Sequence, residues 1–268
     1  MVAFVCKHKQ AIEHKSTCIE RFLEKDFNFA IYNYFPSRSD VTGNCLFSSV
    51  SIILVGDNSL VSQLRIATSL ELFLYCEYYC KHPNILSAFN QCQFSNFKKI
   101  FVLLVSHDAL DSDKTAADLL KEEACLVLKD KAWSSLVCIL ALSTVICRNI
   151  ETHYPDCGTS KLKLLFKQRI QPRDIEATSD LQILCCSVGP MISKFNYKHN
   201  HYAPLLSIDK CNCSTTPLKT EKIAVKKIQS KIMFNPSESI NMKKRNSSVE
   251  GTLLKAVKKS SGSYSCSK

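Results

Sequence analysis

The sequence predicts an α+β domain in which helices pack on a small central sheet, followed by a disordered basic tail. Apolar residues recur at helical spacing between positions 45 and 128. Three later segments are short apolar runs typical of strands: Val145 to Ile150, Leu181 to Val188 and Tyr202 to Ile208. Helices that precede a small set of strands favour an α+β arrangement.

These patterns divide the chain into three parts. Residues 1–34 contain an amphipathic stretch that predicts a helical lead-in, residues 35–210 form the globular domain, and residues 211–268 form the tail. The tail carries twelve Lys or Arg residues against three Glu and supplies most of the formal net charge of +11. Its composition contains no lasting apolar periodicity, so it is expected to be disordered.

Composition also bounds the class of protein. Fifteen cysteines would indicate disulfides in a short secreted chain, but the first ten residues lack the apolar core of a signal peptide. We therefore expect reduced thiols in an intracellular protein, cytoplasmic or nuclear. The longest apolar run, Leu136 to Cys147, is shorter than the roughly 20 residues that cross a bilayer, so no membrane partner is expected.

A metal site is not expected from the spacing of cysteines and histidines. Zinc sites usually combine two closely spaced ligand pairs. The nearest approach to such a set joins His199 and His201 to Cys211 and Cys213, and core thiols are the simpler interpretation. We expect neither a metal nor a cofactor.

The first elements of the domain follow from local signals. Pro36 to Asp40 is a loop, and Gly43 and Asn44 favour a tight turn. A buried helix is expected to begin at Cys45 and to end at Gly56, which suits a C-cap.

A second helix is expected from about Leu60 to Cys80, with Pro83 ending it. Within it, Arg65 and Glu71 are expected to point outward or to pair locally. Phe101 to Val105 is too short for periodicity to distinguish a helix from a strand.

The remaining helices precede the strands. Ala116 to Leu128 is helical in pattern. Trp133-Ser134-Ser135 then leads into an apolar helix from Leu136 to Leu142.

Cys45 and His201 are the residues best suited to chemistry. A thiol is mostly protonated at neutral pH, and a helix N-terminus beside an imidazole favours the thiolate that attacks a carbonyl. Cys45 is predicted at such a helix start, and His201 opens the last strand. A lone cysteine before an apolar helix is more often a core residue, so spacing alone leaves both interpretations open.

Short motifs along the domain resemble the ovarian tumour (OTU) family of cysteine proteases. Gly43-Asn44-Cys45-Leu46-Phe47 is similar to the family's nucleophile motif, His201-Tyr202 to its histidine motif, and Trp133-Ser134-Ser135 to the start of its Trp-Gly helix. Their order and spacing agree from Phe35 to Asp209. The stretch from Leu46 to Pro83 is similar to the vertnin-like and transposon-associated branch of the family.

The resemblance implies a papain-like fold and a thiol isopeptidase that cleaves ubiquitin-type conjugates. Cys45 would be the nucleophile and His201 the general base. The backbone turn at Thr42, Gly43 and Asn44 would hold the oxyanion.

Two departures from the family pattern leave a second hypothesis open. Thr42 replaces the Asp that precedes Gly-Asn-Cys, and Ala203 replaces the Asp or Asn two residues after the histidine. Asp40, Asn200 and Asp209 are the nearby candidates for a group that orients the imidazole, and none occupies the expected motif position. The alternative to an enzyme is a catalytically degenerate, vertnin-like regulatory or binding module.

The tail bears on this alternative. Its basic clusters at 243–245 and 258–259 could contact nucleic-acid phosphates without sequence specificity or serve as a nuclear import signal. Lysines that only aid solubility are an equally good interpretation.

Overall fold

The computed structural model describes residues 34–92, 97–105, 113–155, 159–177, 179–187 and 199–207. The helical lead-in expected before residue 34 and the tail expected from residue 211 lie outside the described residues. Within those ranges the chain forms eight helices and five strands. The α+β arrangement, with helices packed on a small sheet, is confirmed.

In chain order the helices are α1 (Cys45–Val55), α2 (Val61–Leu74), α3 (Cys76–Cys80), α4 (Pro83–Cys92), α5 (Phe97–Leu104), α6 (Ala116–Val127), α7 (Leu136–Ile146) and α8 (Ser160–Phe166). The strands are β1 (Tyr34–Pro36), β2 (Asn149–His153), β3 (Arg169–Ile170), β4 (Asp180–Cys186) and β5 (His201–Ser207).

The strands form one sheet in the order β1-β5-β4-β2-β3. β2 and β4 are parallel, and the other neighbouring pairs are antiparallel. His201 pairs with Cys186, so the first residue of β5 lies beside the last residue of β4. The histidine is thereby placed at one end of the two longest strands.

α1 is buried along most of its length because its side chains are apolar or small. It ends at Gly56, whose left-handed φ of 91° lets its N–H reach the Ile52 carbonyl at 2.9 Å. The helix packs on β5, where the Ser49 hydroxyl donates to the Tyr202 carbonyl at 2.9 Å. The start of α1 therefore lies beside the start of β5.

α7 forms the centre of the main core, and all of its residues are buried. α2 and α6 pack together, and α2 also packs on α7.

Alternate residues of the sheet divide between two apolar clusters, as the period of a strand requires. Cys185 and Tyr202 join the helices in the main cluster, whereas Cys186, Ala203 and neighbouring apolar residues form a second cluster.

Several predicted boundaries were wrong. The expected helix from Leu60 to Cys80 breaks at Tyr75 into α2 and α3. Pro83 opens α4 instead of only ending the preceding helix, because a helix's first residue does not need its N–H. α7 runs to Ile146 and Cys147 turns left-handed at φ 55°, which delays β2 to Asn149.

Other elements depend on partners that local signals do not reveal. Pro36 belongs to the short edge strand β1 rather than to a loop, and the two-residue strand β3 was not predicted. Neither was α8. Phe101 to Val105, left open by periodicity, lies largely within helix α5.

Three further observations concern the described part of the chain. No helix there has the length and apolar character to cross a membrane. No group of three or more His, Cys, Asp and Glu side chains in those ranges could hold a metal ion. The cysteines in the described ranges are free thiols.

Candidate active site

The turn before α1 is built from hydrogen bonds of its own residues. The Asp40 carboxylate accepts the Thr42 N–H at 2.9 Å, and the Asp40 N–H donates to the Ser48 hydroxyl at 3.0 Å. The Thr42 carbonyl accepts the Cys45 N–H at 3.1 Å, and the Thr42 hydroxyl accepts the Asn44 N–H at 3.3 Å. Three of the backbone donors expected at an oxyanion hole, the N–H groups of Thr42, Asn44 and Cys45, are thus engaged within the turn.

Gly43 lets this turn lie directly against another loop. A Cβ atom at this position would lie 2.0 Å from the Lys131 carbonyl oxygen and 2.6 Å from the Ala132 carbonyl carbon. No side chain fits between two backbones at that distance. Close approach, rather than an unusual backbone angle, explains the glycine.

Arg65 joins the same turn to the loop after α6. Its side chain is buried, with 3% of its surface exposed, so the expectation that it points outward is wrong. The guanidinium donates to four backbone carbonyls, those of Gly43, Val127, Lys129 and Ala132, at 2.6 to 3.1 Å. It also lies 4.7 Å from the centre of the Phe47 ring.

Asn44 completes this connection through its side chain. Its Oδ1 accepts from Arg65 at 2.5 Å, and its Nδ2 donates to the Asp130 carboxylate at 3.0 Å. The second of these bonds lowers the pKa of Asp130. Sequence reasoning assigned Asn44 to the oxyanion hole by its backbone, whereas its side chain fixes the position of the turn.

Glu71 is also buried, contrary to its expected outward position. Its carboxylate accepts from Arg173 at 3.1 Å and from the Tyr79 hydroxyl at 3.0 Å. Its ion pair with Arg173 joins residues 102 positions apart in the sequence and is therefore not local. This network lies apart from the Cys45 turn and serves the packing of α2.

The Cys45 sulfur lies in a closed site. The residue has no exposed surface, and burial raises the pKa of its thiol to about 11. The backbone N–H groups of Tyr202 and Leu46 are directed at the sulfur and lower the pKa, and the negative charge of Asp40 raises it. In this arrangement the thiol is protonated at neutral pH.

The Tyr202 peptide connects the cysteine segment to the histidine strand. Its N–H is directed at the Cys45 sulfur. Its carbonyl accepts the hydroxyls of Ser39 at 2.5 Å and Ser49 at 2.9 Å. Cys45 therefore lies against the residue that follows His201.

The His201 imidazole is buried, with 2% of the residue exposed. Its Nε2 lies 2.9 Å from the Ser39 hydroxyl, and its Nδ1 has no hydrogen-bond partner among the described residues. Burial lowers the pKa of His201 to about 4, against a smaller opposite effect of the Asp40 carboxylate. Within the described ranges no hydrogen bond joins the Cys45 sulfur to the imidazole.

Ala203 lies on an apolar face of β5, which suits its small apolar side chain. It belongs to the cluster formed by Leu184, Cys186 and Leu205, with Tyr34 packed against it. The OTU family pattern has Asp or Asn two residues after the histidine. In this chain that position is apolar. It offers the imidazole no polar partner.

Of the predicted orienting groups, Asp40 and Asn200 lie near the histidine in different ways, and Asp209 lies outside the described residues. Asp40 acts on His201 through its charge, while its carboxylate receives the Thr42 N–H. Asn200 is exposed, and its backbone N–H donates to the Cys186 carbonyl at 3.1 Å.

Sequence reasoning did not identify Ser39, Ser49 or the role of Arg65. In the sequence, Arg65 is one charged residue in a largely apolar helix, and Ser39 is one of two serines in a loop. Neither pattern by itself indicates a functional site. Their importance depends on carbonyls that are distant in sequence, and only the fold brings these together.

Comparison with known proteins gives consistent matches. The family described as "Vertnin, OTU domain" matches residues 36–186. Vertnin of Homo sapiens is 24% identical over 192 residues, which are 69% of this chain and 26% of that protein. Vertnin of Bos taurus is 23% identical over 188 residues, which are 66% of this chain and 26% of that protein.

The chain thus spans about a quarter of the length of the curated relatives it matches. Among solved structures, the OTU domain of OTUD1 matches with a TM-score of 0.35 and 18% identity. That match covers 76% of this chain and 99% of the OTUD1 domain.

Proposed function

Because this chain belongs to the vertnin OTU domain family, we propose that it is a thiol isopeptidase that cleaves ubiquitin-type conjugates. In this proposal Cys45 is the nucleophile and His201 the general base. The thiolate attacks the isopeptide carbonyl, and the imidazole first accepts the thiol proton and then donates it to the leaving amine.

One observation carries the proposal: the Tyr202 peptide holds the cysteine turn and the histidine strand together. Its N–H is directed at the Cys45 sulfur, and its carbonyl binds hydroxyls that precede and follow the cysteine. His201 is the residue before Tyr202 in β5. A cysteine that served only packing would not need this convergence of polar groups.

Exposed apolar side chains beside the turn support a binding face for a protein substrate. Val41 has 68% and Trp133 has 50% of its surface exposed. The segments that carry them meet where Gly43 packs against Lys131 and Ala132. Exposed aromatic and aliphatic side chains beside a reactive centre suit contact with a protein surface.

The resting site is closed, so substrate binding must open it. With a pKa of about 11 for Cys45 and about 4 for His201, proton transfer from the thiol to the imidazole is unfavourable at rest. A bound carbonyl would also compete with Thr42 for the Cys45 N–H. We propose that substrate binding relieves the burial of both groups.

The same burial favours a second candidate, a regulatory or binding module that keeps the fold without turnover. Such a module could be nuclear and could contact nucleic acid weakly through its basic tail. The departures at Thr42 and Ala203 agree with this alternative.

A ubiquitin suicide probe with a C-terminal propargyl group distinguishes the isopeptidase from the regulatory or binding module. The full chain is expected to form a covalent adduct, and Cys45→Ala is expected to abolish it. Cys125→Ala, which removes a partly buried thiol on α6, is the matched control and should label as the parent does. Labelling that persists in Cys45→Ala would remove this nucleophile, and a folded parent that never labels would favour the binding module.

A further inference from the structure

Ser39 is the only hydroxyl in the described residues that contacts the His201 imidazole. Its side chain is buried, with 8% of the residue exposed, in the loop between β1 and the cysteine turn. The Ser39 oxygen lies 2.9 Å from His201 Nε2 and 2.5 Å from the Tyr202 carbonyl oxygen. One hydroxyl thus touches two groups of the same strand.

Because the Ser39 hydroxyl carries only one proton, the directions of its hydrogen bonds to Tyr202 and to His201 are determined. A carbonyl oxygen can only accept, so the single proton of the Ser39 hydroxyl must point at Tyr202. The Ser39 oxygen is then an acceptor towards the imidazole, and Nε2 must carry the proton that it accepts. Two oxygen lone pairs 2.5 Å apart would otherwise repel each other.

We propose that Ser39 is the positioning residue that holds His201 as the Nε2–H tautomer and leaves Nδ1 as the proton acceptor. Nδ1 is buried and has no hydrogen-bond partner among the described residues, as an available base requires. The resembling family's pattern puts an Asp or Asn two residues after the histidine. Here Ala203 lies at that position, and Ser39 reaches the ring from another segment 162 residues away.

Ser39 suits this role better than the groups that sequence reasoning favoured. Asp40 directs its carboxylate to the Thr42 N–H, and Asn200 is exposed to solvent. A neutral hydroxyl also orients the ring without adding charge to a buried site.

The catalytic consequence rests on the proposed function. When Cys45 attacks, its S–H bond breaks, the electron pair stays on sulfur, and the proton binds Nδ1. The resulting imidazolium still donates Nε2–H to Ser39, so the same hydrogen bond serves the neutral and the charged ring.

The tautomer can be measured without any activity. Selective ¹⁵N labelling of the seven histidines, with His201→Gln to assign the signal, reports which ring nitrogen is protonated. The parent protein at pH 7 is expected to show His201 as Nε2–H. In Ser39→Ala this preference is expected to disappear. A parent with the proton on Nδ1, or an unchanged tautomer in Ser39→Ala, would overturn the assignment.

Labelling by the ubiquitin probe supplies the second readout. Ser39→Ala is expected to lower the labelling rate about tenfold, the effect of losing one orienting hydrogen bond, and Ser39→Thr should restore it. Ser69→Ala is the matched control because Ser69 is a buried serine whose hydroxyl donates to the Ala124 carbonyl at 2.6 Å and contacts neither the imidazole nor the Tyr202 peptide. Equal losses in Ser39→Ala and Ser69→Ala would show that Ser39 serves packing alone.

The two proposals fail separately. If the parent never labels but carries the proton on Nε2, the isopeptidase activity is wrong and the role of Ser39 at the imidazole stands. If the parent labels with the proton on Nδ1, the activity stands and the role of Ser39 is wrong.

Discussion

Arg65 illustrates how one buried side chain can organise the turn that carries Cys45. Its planar guanidinium presents several donors in fixed directions, which a lysine ammonium cannot reproduce. Four backbone carbonyls and the Asn44 side chain use these donors. The Arg65 guanidinium therefore holds the cysteine turn and the loop after α6 together.

We predict that Arg65→Lys lowers the free energy of unfolding by about 3 kcal/mol, because buried carbonyls lose their donors. Urea denaturation measures this. Arg169→Lys is the control, since the Arg169–Asp180 pair has 55% of the arginine side chain exposed and should change stability by less than about 1 kcal/mol. Similar losses in the two variants would contradict the role given to Arg65.

At the scale of elements, α1 is bounded by two glycines that act for different reasons. Gly43 precedes the helix and allows a backbone of another loop to approach. Gly56 follows it and takes the left-handed conformation of a C-cap. One glycine therefore determines where Cys45 lies, and the other only ends the helix that Cys45 begins.

This difference predicts separable effects. Gly43→Ala should cost about 1–3 kcal/mol of stability, because the loop at Lys131 must move, and should displace the turn that carries Cys45. Gly56→Ala should cost about 1 kcal/mol through backbone strain at φ 91°. Thermal unfolding and probe labelling compare the two.

Labelling is expected to fall in Gly43→Ala and to persist in Gly56→Ala. If both variants label at the rate of the parent, close packing at Gly43 does not determine the position of Cys45.

For the whole molecule, buried titratable groups limit the pH range of stability. Burial lowers the pKa of His82 and His201 from 6.5 to about 4. The unfolded chain then binds more protons between these values, so stability is lost as the pH falls from about 6.5 towards 4. Burial raises the pKa of Cys45 from 9.0 to about 11, so stability is lost as the pH rises through that window.

We therefore predict greatest stability between about pH 6.5 and 9, as measured by the midpoint of thermal unfolding. Cys45→Ala should reduce the loss between pH 9 and 11, whereas Cys125→Ala, with a less buried thiol, should change it less. A midpoint that stays constant from pH 4.5 to 7 would contradict the low histidine pKa values.

The tail contributes charge to the whole chain but no core-forming pattern. We predict that deleting residues 214–268 leaves thermal stability and probe labelling nearly unchanged and weakens salt-sensitive retention on heparin. Binding through lysines releases counterions, so the retained fraction should fall steeply with salt. Unfolding of the truncated chain would show that the proposed domain boundary near residue 210 is wrong.

The sequence by itself determined the class of fold, the start of α1 at Cys45 and the start of β5 at His201. These features depend on periodicity and on turn signals within a few residues, which the chain carries locally. Boundaries that depend on neighbouring elements, such as the break at Tyr75 and the edge strand β1, were not predictable in this way.

Only the tertiary structure decided how the candidate site is held. Arg65 is buried because distant carbonyls compensate its desolvation. Ser39 reaches His201 because the Tyr202 peptide draws the cysteine loop onto β5. Such hydrogen bonds join residues far apart in sequence, and their geometry exists only after the helices have packed on the sheet.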